Sequence, residues 1–269
     1  MFYGWRVVAG MFVCQMFTIG FFSYSASILT SPVRESFGVS LEEIMYSLTI
    51  GTIVGLFAMP VAGFMADKFS IRYMVSVGLI LFAAGLWAIA NSTSIGLYVV
   101  CFGITMALAM SLVGSLAAST VISRWFSKSR GRALGVSAAG TSVGGILVPI
   151  MLTRAIELWG WRSALEYLAL MLVVVVLPFV FSTVRGRPED VGLVIEESPA
   201  SAQGDHVDAP LSLSNIVKAP AFWLIGLSLG LLFSAYSAVL ANLSPYITNS
   251  GFSDQQASAA IMVVAAMGL

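Results

Sequence analysis

The sequence predicts an all-α membrane protein that crosses the lipid bilayer many times. Of its 269 residues, 58% are hydrophobic and only 10% are charged, whereas about 25% of the residues of an average soluble domain are charged. A soluble globule could not cover its surface with so few charges. Charge-poor stretches of about 20 residues, the length of a helix that crosses the hydrocarbon core, recur along the chain.

Seven complete transmembrane helices and a partial eighth are predicted, because backbone polar groups in lipid must be satisfied within each segment. The alternating ten-residue strands of a membrane barrel are not visible in the sequence. A cleaved signal peptide is the alternative interpretation of the first span, but this apolar stretch is longer than the usual signal core. The predicted spans are Val7–Leu29, Ile44–Ala66, Tyr73–Ala90, Ile95–Ile122, Ala133–Leu152, Ser163–Val184 and Phe222–Leu243, with the partial eighth over Gln256–Leu269.

The basic residues lie mostly on one side of these spans. Lys and Arg accumulate in cytoplasmic loops of membrane proteins, so we expect the N-terminus in the cytoplasm and a multi-pass protein of the cell (inner) membrane. Only Arg34, Arg154 and Arg162 fall on the opposite side. The residues on the cytoplasmic side are Arg6, Lys68, Arg72, Arg124, Lys128, Arg130, Arg132, Arg185, Arg187 and Lys218.

The chain divides into two membrane parts, residues 1–184 with six spans and residues 220–269 as the start of a second half. Residues 185–219 between them are rich in Glu, Asp, Ser, Ala and Pro, a composition typical of a flexible linker. An offset of 213 residues aligns six identities over 26 positions, including Ser31–Pro32 with Ser244–Pro245 and Gly38 with Gly251. We expect a parallel repeat of helices, and by its register a chain that stops within a membrane-spanning helix.

Several function classes are disfavoured by composition. Thirteen basic and thirteen acidic residues cancel, so no global field attracts nucleic acid. Cys14 and Cys101 are isolated within apolar runs, and His206 has no second His or Cys near it, so neither a metal site nor a cofactor is expected. No nucleophile and base constellation indicates an enzyme.

The loop after the second predicted span carries a recognisable motif, with Gly63, Asp67, Lys68 and Arg72 at its defining positions. It resembles the signature of the major facilitator superfamily, except that Ser70 stands where the pattern usually has Gly. The resemblance implies a major facilitator-type helical bundle. It further implies a conformational latch, in which Asp67 accepts hydrogen bonds from helix N-termini or arginines in one gating state. The alternative is a short basic loop that only fixes topology.

Further motifs are similar to the monocarboxylate and oxalate/formate branch of that superfamily. The opening residues 3–8 look like the start of its first helix, and residues 187–193 resemble the loop that follows its sixth helix. Residues 124–144 are similar to its fifth-helix signature of an aromatic residue, basic residues and a glycine-rich face. The signature residues in this chain are Trp125, Lys128, Arg130, Gly135, Gly140 and Gly144.

Polar side chains within the spans are candidates either for a substrate cavity or for helix packing. Gln15 and Tyr24 on the first helix and Tyr236 on the seventh, with Asn242 beside it, need a hydrogen-bond partner in hydrocarbon. Ser111 belongs to a series of small residues spaced by four, for which helix contact is the favoured interpretation. We regard all five residues as cavity candidates and expect Gly140 and Gly144 to serve packing.

The resemblance implies a secondary active transporter of a small organic anion, a monocarboxylate or short dicarboxylate, that works by alternating access in the lipid bilayer. The coupling ion would be a proton or an exchanged anion. Intramembrane Asp, Glu or His normally mark proton relays, and none lies in the middle of a predicted span. The alternative is a membrane sensor or pseudo-transporter that does not transport.

Overall fold

The computed structural model describes residues 2–193 and 218–267, and the regular structure in these ranges is helical. The middle of the predicted linker, His206 and the last two residues of the partial eighth span lie outside the described residues. The elements are α1 (Gly4–Ser25), α2 (Thr30–Phe37), α3 (Leu41–Lys68), α4 (Ile71–Ala90), α5 (Ile95–Trp125), α6 (Arg130–Thr183), α7 (Pro220–Asn249) and α8 (Asp254–Ala266).

Six of these helices are long and apolar enough to cross a membrane within the described parts of the chain, and α8 is a shorter apolar helix. The longest, α6, covers the predicted fifth and sixth spans together. It is interrupted at Gly160, whose φ of 80° and ψ of 162° are not helical and are accessible at low cost only to glycine. We call the part before Gly160 α6a and the part after it α6b.

Two predicted spans differ from regular α-helices. In the first, the α-helical winding of Gly4–Gly20 changes to a π-turn over Phe21–Ser25 and a 3₁₀ turn over Ala26–Leu29. The chain then continues as α2, so the first span extends beyond the predicted end at Leu29. Serine hydroxyls compete with the helical backbone for hydrogen bonds, and this segment holds three serines in five residues. In α5, a π-turn over Cys101–Thr105 and a break at Gly114 divide the predicted fourth span.

The bundle has two ends that the hydrogen bonds identify. At one end, which we call the basic end, Tyr3 donates to the carbonyl of Ser182 and the indole of Trp125 donates to the carbonyl of Arg185 at 3.0 Å. At the other, the distal end, Trp161 donates to the hydroxyl of Ser36 at 2.7 Å and Arg162 donates to the carbonyls at residues 90 and 92. The predicted separation of the basic residues corresponds to these two ends.

The tightest helix contact joins α1 to α6a and depends on glycines. A Cβ atom at Gly140 would collide with the carbonyl oxygen of Phe12, and one at Gly144 with that of Met16. The contact buries the amide of Gln15, which donates to the Ser137 hydroxyl at 2.6 Å. Small residues therefore bring two backbones together here, as is common between membrane helices.

The two turns related by the 213-residue offset have the same local structure. Gly38 and Gly251 both adopt positive φ, 65° and 88°. Ser40 and Ser253 then begin α3 and α8 with the same capping box, in which the third helical residue, Glu43 or Gln256, bonds back to the serine amide at 2.8 and 3.0 Å. The two turns that the sequence repeat aligns thus have the same backbone conformation at glycine and the same helix cap.

The α1–α6a contact predicts an asymmetry between two glycines of the same helix. Gly144→Ala should destabilise the protein by roughly 1–3 kcal/mol, because overpacking forces backbones apart. Gly135→Ala should be neutral or stabilising by up to about 1 kcal/mol, because alanine favours the helix and a Cβ there meets no atom within 4 Å. Thermal unfolding in detergent measures both, and equal midpoints would contradict the packing argument.

Candidate functional site

A cavity of about 320 Å³ lies between α1, α3, α5 and α7. It runs along α3 from Ile44, near the distal end, to Met59, a length of roughly 22 Å at 1.5 Å per residue. Tyr236 and Leu240 of α7 form its opposite wall. The cavity therefore has residues from both predicted membrane parts on its walls.

The cavity wall is neutral. Its polar groups are hydroxyls, among them those of Ser27, Ser47 and Tyr236, and no charged side chain lines it among the residues that the structure describes. The Ser27 side chain is 8% exposed and its hydroxyl oxygen is buried without a hydrogen-bond partner. An unpaired buried hydroxyl is costly, but the Ser27 oxygen is itself covered and does not open onto the cavity in this structure.

Three aromatic rings stack along the α1 and α5 side of the cavity. Phe22 and Phe102 have ring centroids 6.2 Å apart and an interplanar angle of 26°, and Tyr98 lies 5.9 Å from Phe102 at 25°. All three residues line the cavity. Offset stacks of this kind present large apolar area with little conformational freedom, so this wall suits an apolar or ring-bearing part of a ligand.

Near the cavity, α6a and α8 run antiparallel and meet at three levels. A Cβ atom at Gly145 would lie 2.5 Å from that of Ala265, the hydroxyls of Thr153 and Ser258 are 2.7 Å apart, and Gln255 donates to Glu157 at 3.0 Å. The contacts progress from the middle of α6a toward its distal end. We call this set of contacts the α6–α8 closure, because it joins residues 2–193 to residues 218–267 at the distal end.

A second bond across the same boundary joins α1 to α7. The hydroxyls of Tyr24 and Tyr236 are 2.9 Å apart, and Tyr24 packs with Ile28, Leu240 and Ile261 in a small buried cluster. Tyr24 is 5% exposed, whereas Tyr236 is 41% exposed and reaches the cavity. This tyrosine pair links the cavity wall to the α6–α8 closure, because the Tyr24 ring also packs against Gly145, the residue that Ala265 of α8 approaches.

Only one of the five predicted cavity residues lines the cavity. Tyr236 does so, and Tyr24 lies outside the cavity with its hydroxyl hydrogen-bonded to that of Tyr236. Gln15 instead bonds to Ser137 within the α1–α6a contact. Ser111 donates to the carbonyl of Leu108, and Asn242 to that of Ala238, each in its own helix.

The residues of the loop motif lie at the basic end of α3 and around the start of α4. Asp67 is exposed and takes part in no ion pair within the described residues, while Arg124 donates to the neighbouring carbonyl of Ala66 at 2.7 Å. Lys68 lies over the ring of Phe64, and Arg72 lies over that of Phe181 at 3.6 Å. Arg124 thus binds the end of α3 through the backbone carbonyl of Ala66 and not through the Asp67 carboxylate. The latch role of Asp67 stays a prediction.

The fifth-helix signature separates into packing and surface residues. Trp125 is fully buried and stacks on Tyr3 with centroids 5.4 Å apart. Lys128, Arg130 and Gly135 are exposed. A Cβ at Gly63 or Gly135 would meet no atom within 4 Å, so these two glycines serve no close contact in this structure, unlike Gly140 and Gly144.

Sequence reasoning missed the cavity residues on α3 and α5 and the partners of the α6–α8 closure. Thr153 and Ser258 are single hydroxyl residues in apolar runs, and nothing in the sequence pairs them. The aromatic residues Phe22, Tyr98 and Phe102 look like ordinary apolar span residues. The usable signal was the capping box at Ser253, because it fixes where α8 begins and so which of its residues follow at the distal end.

Multiple apolar helices with a neutral cavity between them define a multi-pass helical membrane protein. The chain belongs to the Major Facilitator Superfamily, whose sequence profile matches residues 11–269. This is a family of transporters rather than enzymes.

Curated relatives differ in what their names describe. The fujikurins efflux protein of Gibberella fujikuroi is 32% identical over 172 residues, covering 63% of this chain and 36% of that protein. The oxalate:formate antiporter of Oxalobacter formigenes is 23% identical over 240 residues, covering 89% and 54%. A riboflavin transporter of Saccharomyces cerevisiae is 27% identical over 290 residues, covering 100% and 53%. The chain thus spans about a third to just over half of the length of these relatives.

A solved structure shares the fold. The bacterial homolog to the human lysosomal transporter Spinster, described as inward-facing and unoccupied, matches with a TM-score of 0.72 at 18% sequence identity, covering 99% of this chain and 60% of that one. The match supports the arrangement of the helices, and at this identity it shows the fold alone.

The α6–α8 closure predicts a disulfide between α6a and α8. Thr153→Cys with Ser258→Cys, in a background with Cys14 and Cys101 replaced by Ser, should cross-link on mild oxidation, because the two hydroxyls are 2.7 Å apart and disulfides need closely approaching Cβ atoms. Loss of free thiols and a shift in electrophoretic mobility measure the bond. Gly135→Cys with Ser258→Cys is the control, and equal cross-linking of both pairs would contradict the closure.

Proposed function

We propose that this chain forms the helical core of a secondary transporter that moves a small organic anion across the cell's inner membrane by alternating access. Residues 1–184 form one six-helix half, residues 185–219 a cytoplasmic linker, and residues 220–269 belong to a second half. In this proposal α6 provides the fifth and sixth spans on either side of Gly160, α7 is the seventh and α8 the partial eighth. The basic end faces the cytoplasm, as the excess of Lys and Arg there favours.

The main support for the proposal is that a cavity lies between the two proposed halves and that the halves are in contact beyond it, at the distal end. The cavity has hydroxyl-bearing residues and an aromatic wall, and the Thr153–Ser258 bond closes the boundary beyond it. Alternating access requires such a site between two bodies that rock against each other. Opening the distal end would then require breaking the α6–α8 closure.

The neutral wall favours some small organic anions over others as cargo. Each charge that is buried without a counter-charge adds to the cost of binding, and the described wall offers hydroxyl groups but no cation. Within the class of small organic anions we therefore favour a monocarboxylate with an apolar or ring-bearing body over a compact dicarboxylate. The resemblance to the oxalate:formate antiporter supports the anion. The coupling ion in this proposal is a proton or an exchanged anion.

Transport through the boundary predicts that a locked closure stops the cycle. Purified protein in liposomes should take up radiolabelled monocarboxylates with apolar bodies more readily than oxalate. The oxidised Thr153→Cys, Ser258→Cys protein should lose nearly all uptake and regain it on reduction, while the Gly135→Cys, Ser258→Cys control keeps its activity. Binding without uptake in the unmodified protein would favour a sensor, and uptake unaffected by cross-linking would refute the mechanism.

The latch at the basic end predicts a separate defect in cycling. Asp67→Ala should lower the uptake rate by at least about tenfold, because a hydrogen bond to a charged group contributes roughly 1.5–3 kcal/mol to the balance of gating states, and each 1.4 kcal/mol is about tenfold. Equilibrium binding of the same cargo should change by less than about twofold, since Asp67 lies outside the cavity. Glu35→Ala, an exposed carboxylate at the distal end, is the matched control. Loss of binding alone would indicate a folding role for Asp67.

A further inference from the structure

A second cavity, which we call the lateral groove, lies on the outside of α6, away from the cavity between the halves. It has a volume of about 290 Å³ and is walled by α6a, α6b and Phe17 of α1. Its wall is almost entirely apolar, and Leu158, Trp159 and Tyr167 on its edge are more than half exposed. In a multi-pass membrane protein, such a surface faces lipid.

The lateral groove has the depth of one membrane leaflet. Gly160 marks the turn at the distal end, Val148 lies 12 residues before it on α6a, and Met171 lies 11 residues after it on α6b. At 1.5 Å per residue these positions are about 16–18 Å below the turn. The hydrocarbon core is about 30 Å thick, so the groove reaches from the distal membrane surface to the bilayer midplane.

The mouth of the groove has the chemistry of a membrane interface. The rings of Trp159 and Tyr167 meet edge to face with centroids 5.0 Å apart, and Trp and Tyr are enriched at the level of the lipid headgroups. Arg154 lines the same groove, with its side chain 68% exposed. Its Nη1 atom bonds to Glu157 at 3.1 Å, while a guanidinium carries five N–H donors in total.

We propose that the lateral groove binds a zwitterionic membrane phospholipid, with one acyl chain along α6a and α6b and the phosphate on the Arg154 guanidinium. Guanidinium and phosphate form strong charge-assisted hydrogen bonds. The carboxylate of Glu157 beside Arg154 repels a headgroup of net negative charge and attracts the ammonium of a zwitterionic one. The charge pair at the mouth thus complements a headgroup that carries both charges.

This site is separate from the proposed transport site. The groove residues Met151 and Ala155 of α6a differ from Thr153, which belongs to the α6–α8 closure, and Glu157 is the residue that takes part in both, with one carboxylate oxygen on Arg154 and the other on Gln255. Met151 and Ala155 each lie two residues from Thr153 and so point to the opposite side of the helix. A bound lipid would therefore pack against α6a on the side away from the closure, and its presence does not depend on the identity of the cargo.

Native mass spectrometry with defined lipids tests the proposal. Detergent-purified protein is incubated with equal amounts of phosphatidylethanolamine and phosphatidylglycerol of identical acyl chains, and retained lipid is measured at increasing collision energy. The intact protein should keep one phosphatidylethanolamine in preference to phosphatidylglycerol. Ala155→Phe, which places a ring in the groove, should lose it, whereas Ala84→Phe on the exposed surface of α4 should keep it.

The headgroup contact has its own pair of variants. Arg154→Gln should weaken retention by about tenfold, because a charged hydrogen bond is lost, whereas Arg130→Gln at the basic end should leave retention unchanged. Should Ala155→Phe fail to fold, Met151→Trp narrows the groove from its exposed side and serves the same purpose. Equal retention by groove variants and controls, or a preference for phosphatidylglycerol, would overturn the proposal.

Discussion

The close backbone contact between α1 and α6a is the constraint on which the neighbouring elements depend. It exists because Gly140 and Gly144 present no side chain to the carbonyls of Phe12 and Met16. In lipid the hydrophobic effect does not drive helices together, so packing of small residues and interhelical hydrogen bonds must do so. The Gln15–Ser137 bond lies inside this contact. Once α1 and α6a are fixed, the neighbouring Gly145 receives both Tyr24 and Ala265.

The glycine-rich side of α6a therefore makes two helix contacts of different tightness, one with α1 and one with α8. Toward α1 it gives backbone contact that leaves no room for a side chain, and this contact lies within residues 2–193. Toward α8 the contact is made by a small alanine, a hydroxyl pair and an exposed amide-to-carboxylate bond. The tighter contact thus lies within residues 2–193, and the looser one joins them to residues 218–267.

The sequence predicted what depends on local patterns and failed where distant residues meet. The apolar stretches located the helices, and the aligned residues Gly38 and Gly251 predicted a turn that is repeated in the structure. The glycines at 140 and 144 predicted close packing because their spacing places them on one side of a helix. Gln15 was ambiguous, because a buried amide needs a partner and the sequence does not say whether Ser137 or a ligand supplies it. The Thr153–Ser258 pair joins residues 105 apart, and no local pattern connects them.

The weakness of the boundary is what the proposed mechanism requires. A typical hydrogen bond contributes only about 0.5–1.5 kcal/mol net, so the Tyr24–Tyr236 and Thr153–Ser258 bonds together stabilise the closed distal end by a few kcal/mol at most. Two conformations that differ by a few kcal/mol can be interchanged by a ligand that binds them unequally. Tyr236 belongs both to the cavity wall and to one of these bonds. A cargo that competes for its hydroxyl would therefore loosen the boundary as it binds, while the α1–α6a joint holds the first half together.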